Sequence, residues 1–222
     1  STLLLVGPVA QAMLPQLVEQ AAQLKVGAGW EAGVDIGPLI STESKARVVS
    51  IVDQAVEQGA TLLLDGRKVD VPSLPLGNFV GPTVLQVPDT TNVAYTQEIF
   101  GPVLTVLAVD SLEEAIAIIN ANPYGNGCAL FTSSAAAARK FTAEVEAGQV
   151  GINISIPAPL LMFFFPGNKG SYTSPYPFHA VLLPVVFLRS RLLSISHALA
   201  RLSFFLLFCP CTVPDHVTHS SF

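Results

Sequence analysis

The chain has 222 residues, enough for one hydrophobic core of ordinary size. Half of the residues are hydrophobic, 12% are charged and the formal net charge is -5. That balance excludes an electrostatic nucleic-acid binder and falls short of a multi-span membrane protein. Three cysteines, of which only Cys128 lies in the first 150 residues, exclude a fully paired disulfide framework and fit a reducing compartment.

Ser1 to Gly7 carries no basic n-region and no Arg-rich amphipathic stretch, so any address signal is expected upstream. Pro8 to Gln23 has helical spacing, with Leu14, Leu17, Val18 and Ala21 on one stripe and Pro8 in the first turn. Ser41 or Thr42 can cap a second helix whose inner face is Val48, Ile51, Val52, Ala55 and Val56, with Gly59 as its stop. Thr61 to Leu64 predicts a short strand running into the Asp65-Gly66 turn, and Asn78 to Val87 an extended stretch interrupted by Pro82.

The clearest run follows. Pro102 to Val109 is the apolar, β-branched strand of a sheet covered on both faces. Ser111-Leu112-Glu113-Glu114 forms a capping box for a helix with Ala115, Ile116 and Ile119 inside. Asn122-Pro123-Tyr124-Gly125 breaks that helix, and Gly127 to Thr132 is a strand. Ser134 to Glu146 is a helix stopped by Gly148, and Val150 to Ile154 is a strand. The order β-α-β-α-β with short connections predicts an α/β fold with a parallel sheet.

Charge divides the chain. Residues 1–170 hold eight Lys+Arg and fifteen Asp+Glu, whereas residues 171–222 hold three Arg, one Asp and all four His. Such a shift marks a segment of different origin or environment.

Four blocks, in order, resemble the catalytic domain of the aldehyde dehydrogenase superfamily. They are Asp35-Ile36-Gly37-Pro38-Leu39-Ile40, Gly77-Asn78-Phe79-Val80-Gly81-Pro82-Thr83-Val84-Leu85, Glu98-Ile99-Phe100-Gly101-Pro102-Val103 and Gly148-Gln149-Val150-Gly151-Ile152-Asn153. Asn122-Pro123-Tyr124-Gly125-Asn126-Gly127 and Ile156-Pro157-Ala158-Pro159-Leu160-Leu161-Met162-Phe163 look most like the CoA-acylating methylmalonate-semialdehyde dehydrogenases. Phe165-Pro166-Gly167-Asn168-Lys169 is the last recognisable piece. The resemblance divides the chain into a partial catalytic domain, 1–170, and a divergent apolar tail of low order, 171–222, that is not a domain.

The resemblance implies oxidation of methylmalonate or malonate semialdehyde through a thiohemiacetal on a cysteine, hydride transfer to NAD and release of the acyl group to CoA. Valine and thymine catabolism, the mitochondrial matrix and a homo-oligomer come with it. Glu98 matches the glutamate that hydrogen-bonds the nicotinamide ribose, a task that suits a carboxylate because it accepts from two neighbouring hydroxyls. Phe100 matches an aromatic beside the nicotinamide ring, and Phe165 a cofactor- or pocket-facing aromatic. Without the surrounding blocks, Glu98 and Phe100 would read as a solvated carboxylate beside a core phenylalanine.

No catalytic residue is assigned, since the matching nucleophile is expected just upstream of Ser1. No Gly-x-Gly-x-x-Gly occurs; Gly27-Ala28-Gly29-Trp30-Glu31-Ala32-Gly33 places its third glycine one residue late and reads as a loop. Cys128 sits in an apolar strand, the setting of an unreactive thiol. The chain alone is therefore expected to be inactive, and its missing terminal strand leaves a sheet edge that predicts poor solubility.

Long apolar runs between Ala180 and Phe208 raise a membrane segment, which Arg189, Arg191, His197 and Arg201 oppose. Cys209, Cys211, His216 and His219 supply zinc-type ligands at unsuitable spacing, so no metal is expected. Translated non-coding sequence accounts best for the tail's composition. Asn153-Ile154-Ser155 is formally a glycosylation sequon at a strand end. The rival readings are a non-catalytic protein that joins full-length subunits, a membrane-tethered fragment, or another aldehyde dehydrogenase subfamily with water in place of CoA as acyl acceptor.

Overall fold

The computed structural model describes residues 1–157 and 168–171, together with the backbone of 192–195 and 206–209. In chain order the elements are β1 (Thr2–Val6), α1 (Val9–Ala22), α2 (Thr42–Glu57), β2 (Thr61–Leu64), β3 (Thr83–Gln86), α3 (Val93–Thr96), β4 (Val103–Val109), α4 (Leu112–Ala121), β5 (Gly127–Leu130), α5 (Ala135–Glu144), β6 (Gln149–Ile152), β7 (Leu192–Ile195) and β8 (Leu206–Cys209). The strands form one sheet in the order β2-β3-β4-β1-β8-β5-β6-β7. Neighbours β3–β4, β4–β1, β5–β6 and β6–β7 are parallel, whereas β2–β3 is antiparallel at one edge and β8 is antiparallel to both β1 and β5.

The local chemistry explains most of these elements. Ser41 begins α2 by accepting from the Ser44 N–H at 3.1 Å. Ser111 does the same for α4 with the Glu114 N–H at 3.1 Å. The predicted capping box is altered in one respect: the Glu114 carboxylate reaches back to the N–H of Asp110, at 2.8 Å, and not to that of Ser111. Val48, Ile51, Val52 and Ala55 face the core as their spacing predicts. Val56 does not; it is 39% exposed, because a fifth apolar residue at the end of the stripe turns past the sheet.

The sheet is the middle of three layers. Leu4 and Val6 of β1 join Leu107 and Val109 of β4 in a core roofed by Val48, Ile51 and Val52 of α2, Ile116 and Ile119 of α4, and Phe141 of α5. Leu3 and Leu5 point the other way, with Val84 and Val106, beneath Leu14, Leu17 and Val18 of α1. A strand covered on both faces needs no alternation, which is why Thr2-Leu3-Leu4-Leu5-Val6 is apolar nearly throughout. The Asp65-Gly66 turn is tied to α2 by Arg67, which clasps Asp65 at 2.8 and 2.6 Å and also reaches Asp53. Its guanidinium holds the Asp65 carboxyl down at about 2.

Two of the four-residue strands, β7 and β8, come from the region beyond residue 171, to which the sequence pattern assigns no structure. Phe165 and the Pro-rich stretch from Ala158 lie outside the described residues, as do Cys211, His216 and His219 of the zinc-type set. Among the described residues there is no group of three or more His, Cys, Asp or Glu that could hold a metal ion. Nor is any of their helices long and apolar enough to cross a membrane.

Candidate active site

The loop Gln97–Gly101 delivers the chain from α3 into β4, and it is built to hold two side chains out of the core. Asn92 caps α3 by accepting from the Ala94 N–H at 3.0 Å while its amide donates to the Ala55 carbonyl of α2, also at 3.0 Å. Thr105 of β4 donates to the Ala94 carbonyl at 2.9 Å. This short helix is thus fastened to both neighbours. Ile99 is buried, and the residues on either side of it, Glu98 and Phe100, face outward.

Phe100 is 70% exposed and has φ 52°, a left-handed conformation that is unusual for an aromatic residue. The conformation is held from a distance. Arg47 of α2 donates from Nη1 to the Glu98 carbonyl at 3.1 Å and from Nη2 to the Ile99 carbonyl at 2.7 Å. Gly101 then brings the chain against α2 so closely that a Cβ there would lie 2.9 Å from Cγ2 of Val48. A planar fork matched to two successive carbonyls is a task for arginine and not for lysine.

Glu98 and Phe100 line a cleft of about 290 Å³ together with Ser1, Thr2, Ala94, Tyr95, Gln97, Ile99 and Gly101. Because β1 and β4 are parallel and in register from Thr2 and Thr105, this cleft lies at their amino-terminal ends. Among the described residues no hydrogen-bond donor reaches the Glu98 carboxylate. Burial pushes its pKa above the ordinary value, with the Arg47 guanidinium pulling the other way. A partly desolvated carboxylate with unused acceptor capacity suits a pair of ligand hydroxyls. A larger, more apolar cleft of about 460 Å³ lies between Thr90–Thr96 and the end of α4. Tyr95 lines both, but the larger cleft presents Glu114 as its one carboxylate, and that group is already engaged at Asp110.

The other predicted positions separate clearly from this site. Cys128 is fully buried in β5 opposite Val150, 0% exposed, so its thiol meets no substrate. Asn153 has φ 57° and uses both ends of its amide on Thr132, accepting from N at 2.9 Å and donating to O at 3.0 Å. This clamp joins the ends of β5 and β6 and gives the asparagine of the sequon a structural task.

Sequence reasoning missed two cations. One is Arg47. The other is Lys169, which donates to the carbonyls of Ile119, Asn120 and Asn122 at 3.4, 2.6 and 3.2 Å and lies 3.6 Å from Glu146. It thereby caps the carboxyl end of α4, where a positive charge also suits the helix dipole. The partners in both cases are backbone carbonyls about fifty residues away, which no local pattern reveals.

Residues 1–179 match the model of the aldehyde dehydrogenase family, and the chain belongs to that family. It is 54% identical over 179 residues to a Caenorhabditis elegans protein named "probable methylmalonate-semialdehyde/malonate-semialdehyde dehydrogenase [acylating], mitochondrial", covering 81% of this chain and 34% of that protein. The Bos taurus methylmalonate-semialdehyde/malonate-semialdehyde dehydrogenase [acylating], mitochondrial, is 49% identical, covering 81% and 33%. Among solved structures, the methylmalonate-semialdehyde dehydrogenase of Oceanimonas doudoroffii superposes with a TM-score of 0.74 at 38% identity, over 77% of this chain and 35% of that one. The Staphylococcus aureus betaine aldehyde dehydrogenase in complex with NAD+ gives 0.73 at 31% identity, over 77% and 34%. The chain thus spans about a third of the length of the relatives it matches.

Proposed function

We propose that residues 1–170 form the ribose- and nicotinamide-facing part of the catalytic domain of a CoA-acylating methylmalonate-semialdehyde dehydrogenase. The observation that carries this reading is the Arg47-held turn, which presents Glu98 and Phe100 at one cleft in a chain whose relatives bear that name. NAD, when bound, supplies the hydride acceptor, and one of the similar structures holds it. Glu98 would accept from the two ribose hydroxyls, with Phe100 beside the ring and Phe165 on the substrate or cofactor side. The Glu98 carboxylate lines the cleft and has no competing donor among the described residues. CoA as acyl acceptor, oligomeric assembly, a mitochondrial matrix setting and a place in valine and thymine breakdown follow from the same similarity. The division into domain 1–170 and tail 171–222 rests on the change in charge and composition.

Taken alone, the chain is inactive on this reading, because no nucleophile is assigned within it and the thiol of Cys128 is sealed inside β5. A chimera tests the proposal: residues 1–171 replace the matching third of the Bos taurus relative. The expected result is NADH formation that requires both malonate semialdehyde and CoA, with no turnover by the unfused chain. Glu98→Gln in the chimera should raise KM for NAD about 10- to 100-fold, as expected for loss of charge-assisted hydrogen bonds. A folded chimera without semialdehyde-dependent NADH, or one indifferent to Glu98→Gln, would overturn the reading.

A further inference from the structure

The stretch Asn122–Gly127 carries the resemblance to the CoA-acylating subgroup, yet none of its residues lines the Glu98 cleft. Its first residue nevertheless reaches the element that leads to Glu98. Asn122 is buried, and the two ends of its side-chain amide serve different neighbours. Oδ1 accepts from the Tyr124 N–H at 2.9 Å and so shapes its own turn, whereas Nδ2 donates to the Tyr95 hydroxyl of α3 at 3.3 Å. That hydroxyl in turn donates to the Ile118 carbonyl, in the last turn of α4, at 3.5 Å.

α3 needs such a tie. Four residues make a single turn, too short to persist by its own hydrogen bonds. Its fastenings to α2 and β4 lie at its amino-terminal half: the Asn92 amide on the Ala55 carbonyl, the Val93 N–H on the Gln58 side chain at 2.7 Å, and Thr105 on the Ala94 carbonyl. They set a pivot. At the carboxyl-terminal half, the Thr96 hydroxyl and the Gln97 N–H both return to the Val93 carbonyl, inside α3. Tyr95 carries this half across to α4. Glu98 follows it by three positions, so rocking of α3 about the pivot would move the carboxylate even though Arg47 holds the Glu98 and Ile99 carbonyls from the α2 side. The two long bonds of the Tyr95 hydroxyl are individually weak. The greater effect lies in Asn122, whose buried Nδ2 would lose its acceptor with the hydroxyl, a loss larger than the bond's own contribution.

We propose that Tyr95 and Asn122 are positioning residues for the cofactor turn: their side chains form a strut between α3 and α4 that fixes where the Glu98 carboxylate stands. The inference rests on the ribose role proposed for Glu98. Asn122 acts through Tyr95, and Tyr95 acts through α3.

The strut can be cut from either end. Tyr95→Phe removes one oxygen and keeps the ring. Asn122→Ser keeps an oxygen that can accept from the Tyr124 N–H and loses the arm to Tyr95. In the full chain, the amides of Tyr95, Thr96 and Gln97 bond to the Asn92 and Val93 carbonyls, and in either variant they should exchange at least about 3-fold faster. In the chimera, each variant should raise KM for NAD about 3- to 10-fold and leave kcat at saturating NAD nearly unchanged. The double variant should go no further than either single, because one strut is cut twice. In a Glu98→Gln background, Tyr95→Phe should leave KM where Glu98→Gln has put it, a pattern that general loosening of the fold would not produce. Unchanged α3 exchange in both variants, singles whose effects add, or a Tyr95→Phe effect on KM that survives Glu98→Gln would each overturn the inference. A chimera whose KM for NAD is indifferent to Glu98→Gln overturns the ribose reading instead, and α3 exchange still decides whether the strut holds the turn.

Discussion

Two loops perform the same topological task, leading from a helix into a parallel strand, and they are held in opposite ways. The turn Asn122–Asn126 before β5 is closed by groups that satisfy one another. Asn122 accepts from the Tyr124 N–H at 2.9 Å, Gly125 donates to the Ser171 hydroxyl at 3.1 Å, and Lys169 covers the last carbonyls of α4. The loop Gln97–Gly101 before β4 keeps a phenylalanine in a left-handed conformation with most of its ring in solvent, and its carboxylate is partly desolvated. One loop gains stability from its bonds. The other uses two bonds from Arg47 to maintain an arrangement that the chain would not adopt for stability's sake. Local rules are broken in the loop that presents Glu98 and Phe100 at the cleft.

Breaking the first loop should have the largest effect on stability. Lys169→Ala removes three donors from the end of α4 and the ion pair with Glu146, at a partly buried site. A loss of about 2–3 kcal/mol is expected in urea unfolding, the range for hydrogen bonds to a charged group. Protection of the Ile99–Gly101 amides should not change. A loss under about 0.5 kcal/mol would mean that water serves those carbonyls equally well.

Arg47→Leu should separate stability from site order. Arg47 is exposed over much of its length, so the expected loss is only about 1 kcal/mol, but exchange at Ile99–Gly101 should rise clearly above that of the rest of the chain. Arg47→Lys should restore part of the stability and little of the local protection, since an ammonium cannot span both carbonyls in one plane. Equal rescue of both by lysine would show that charge, and not the fork, holds the loop.

The same contrast governs what could be read from the sequence. The capped helices α2 and α4 were legible because Ser41 and Ser111 act on groups three residues away. The parallel core was legible because Val103–Val109 is apolar on both faces. β1 went unassigned: five apolar residues with no turn signal before them have no frame, and only packing by α1 on one face and α4 on the other defines the strand. The extended stretch from Asn78 contracts to Thr83–Gln86, because Gly81 approaches Gly66 and donates to its carbonyl at 2.8 Å before Pro82. Glu98 and Phe100 were legible only through their motif. Their support from Arg47 depends on carbonyls 51 and 52 residues away and could be found only in three dimensions.

Phe100→Gly should be smaller still and of opposite sign. A side chain at φ 52° carries a conformational penalty of about 1–2 kcal/mol, glycine's extra entropy returns roughly 0.5–1, and the exposed ring gives up little burial. The variant should therefore be as stable as the parent or more stable by up to about 1 kcal/mol in chemical unfolding, while in the chimera it should weaken NAD use. A clear destabilisation would mean that the ring is packed and not displayed.

Glu98→Gln gives the smallest change, and its pH dependence tests the loop most directly. Burial raises the Glu98 pKa in the folded chain above its unfolded value. A group shifted in that direction contributes stability that is fully present below the unfolded pKa and is lost as the pH rises through the folded one. Ionised Glu98 is thus a slight liability at neutral pH, and the glutamine variant should be marginally more stable there than the parent. Below the ordinary carboxyl range, where both states of the parent are protonated, the difference should vanish. Paired unfolding curves at pH 7 and pH 3 measure this. A parent stabilised by Glu98 at pH 7 would place a cation or donor on the carboxylate in solution, making the residue a structural ion like Lys169. Its absence, with NAD use falling in the chimera, is what distinguishes a carboxylate kept available for a ligand from one used to hold the chain together.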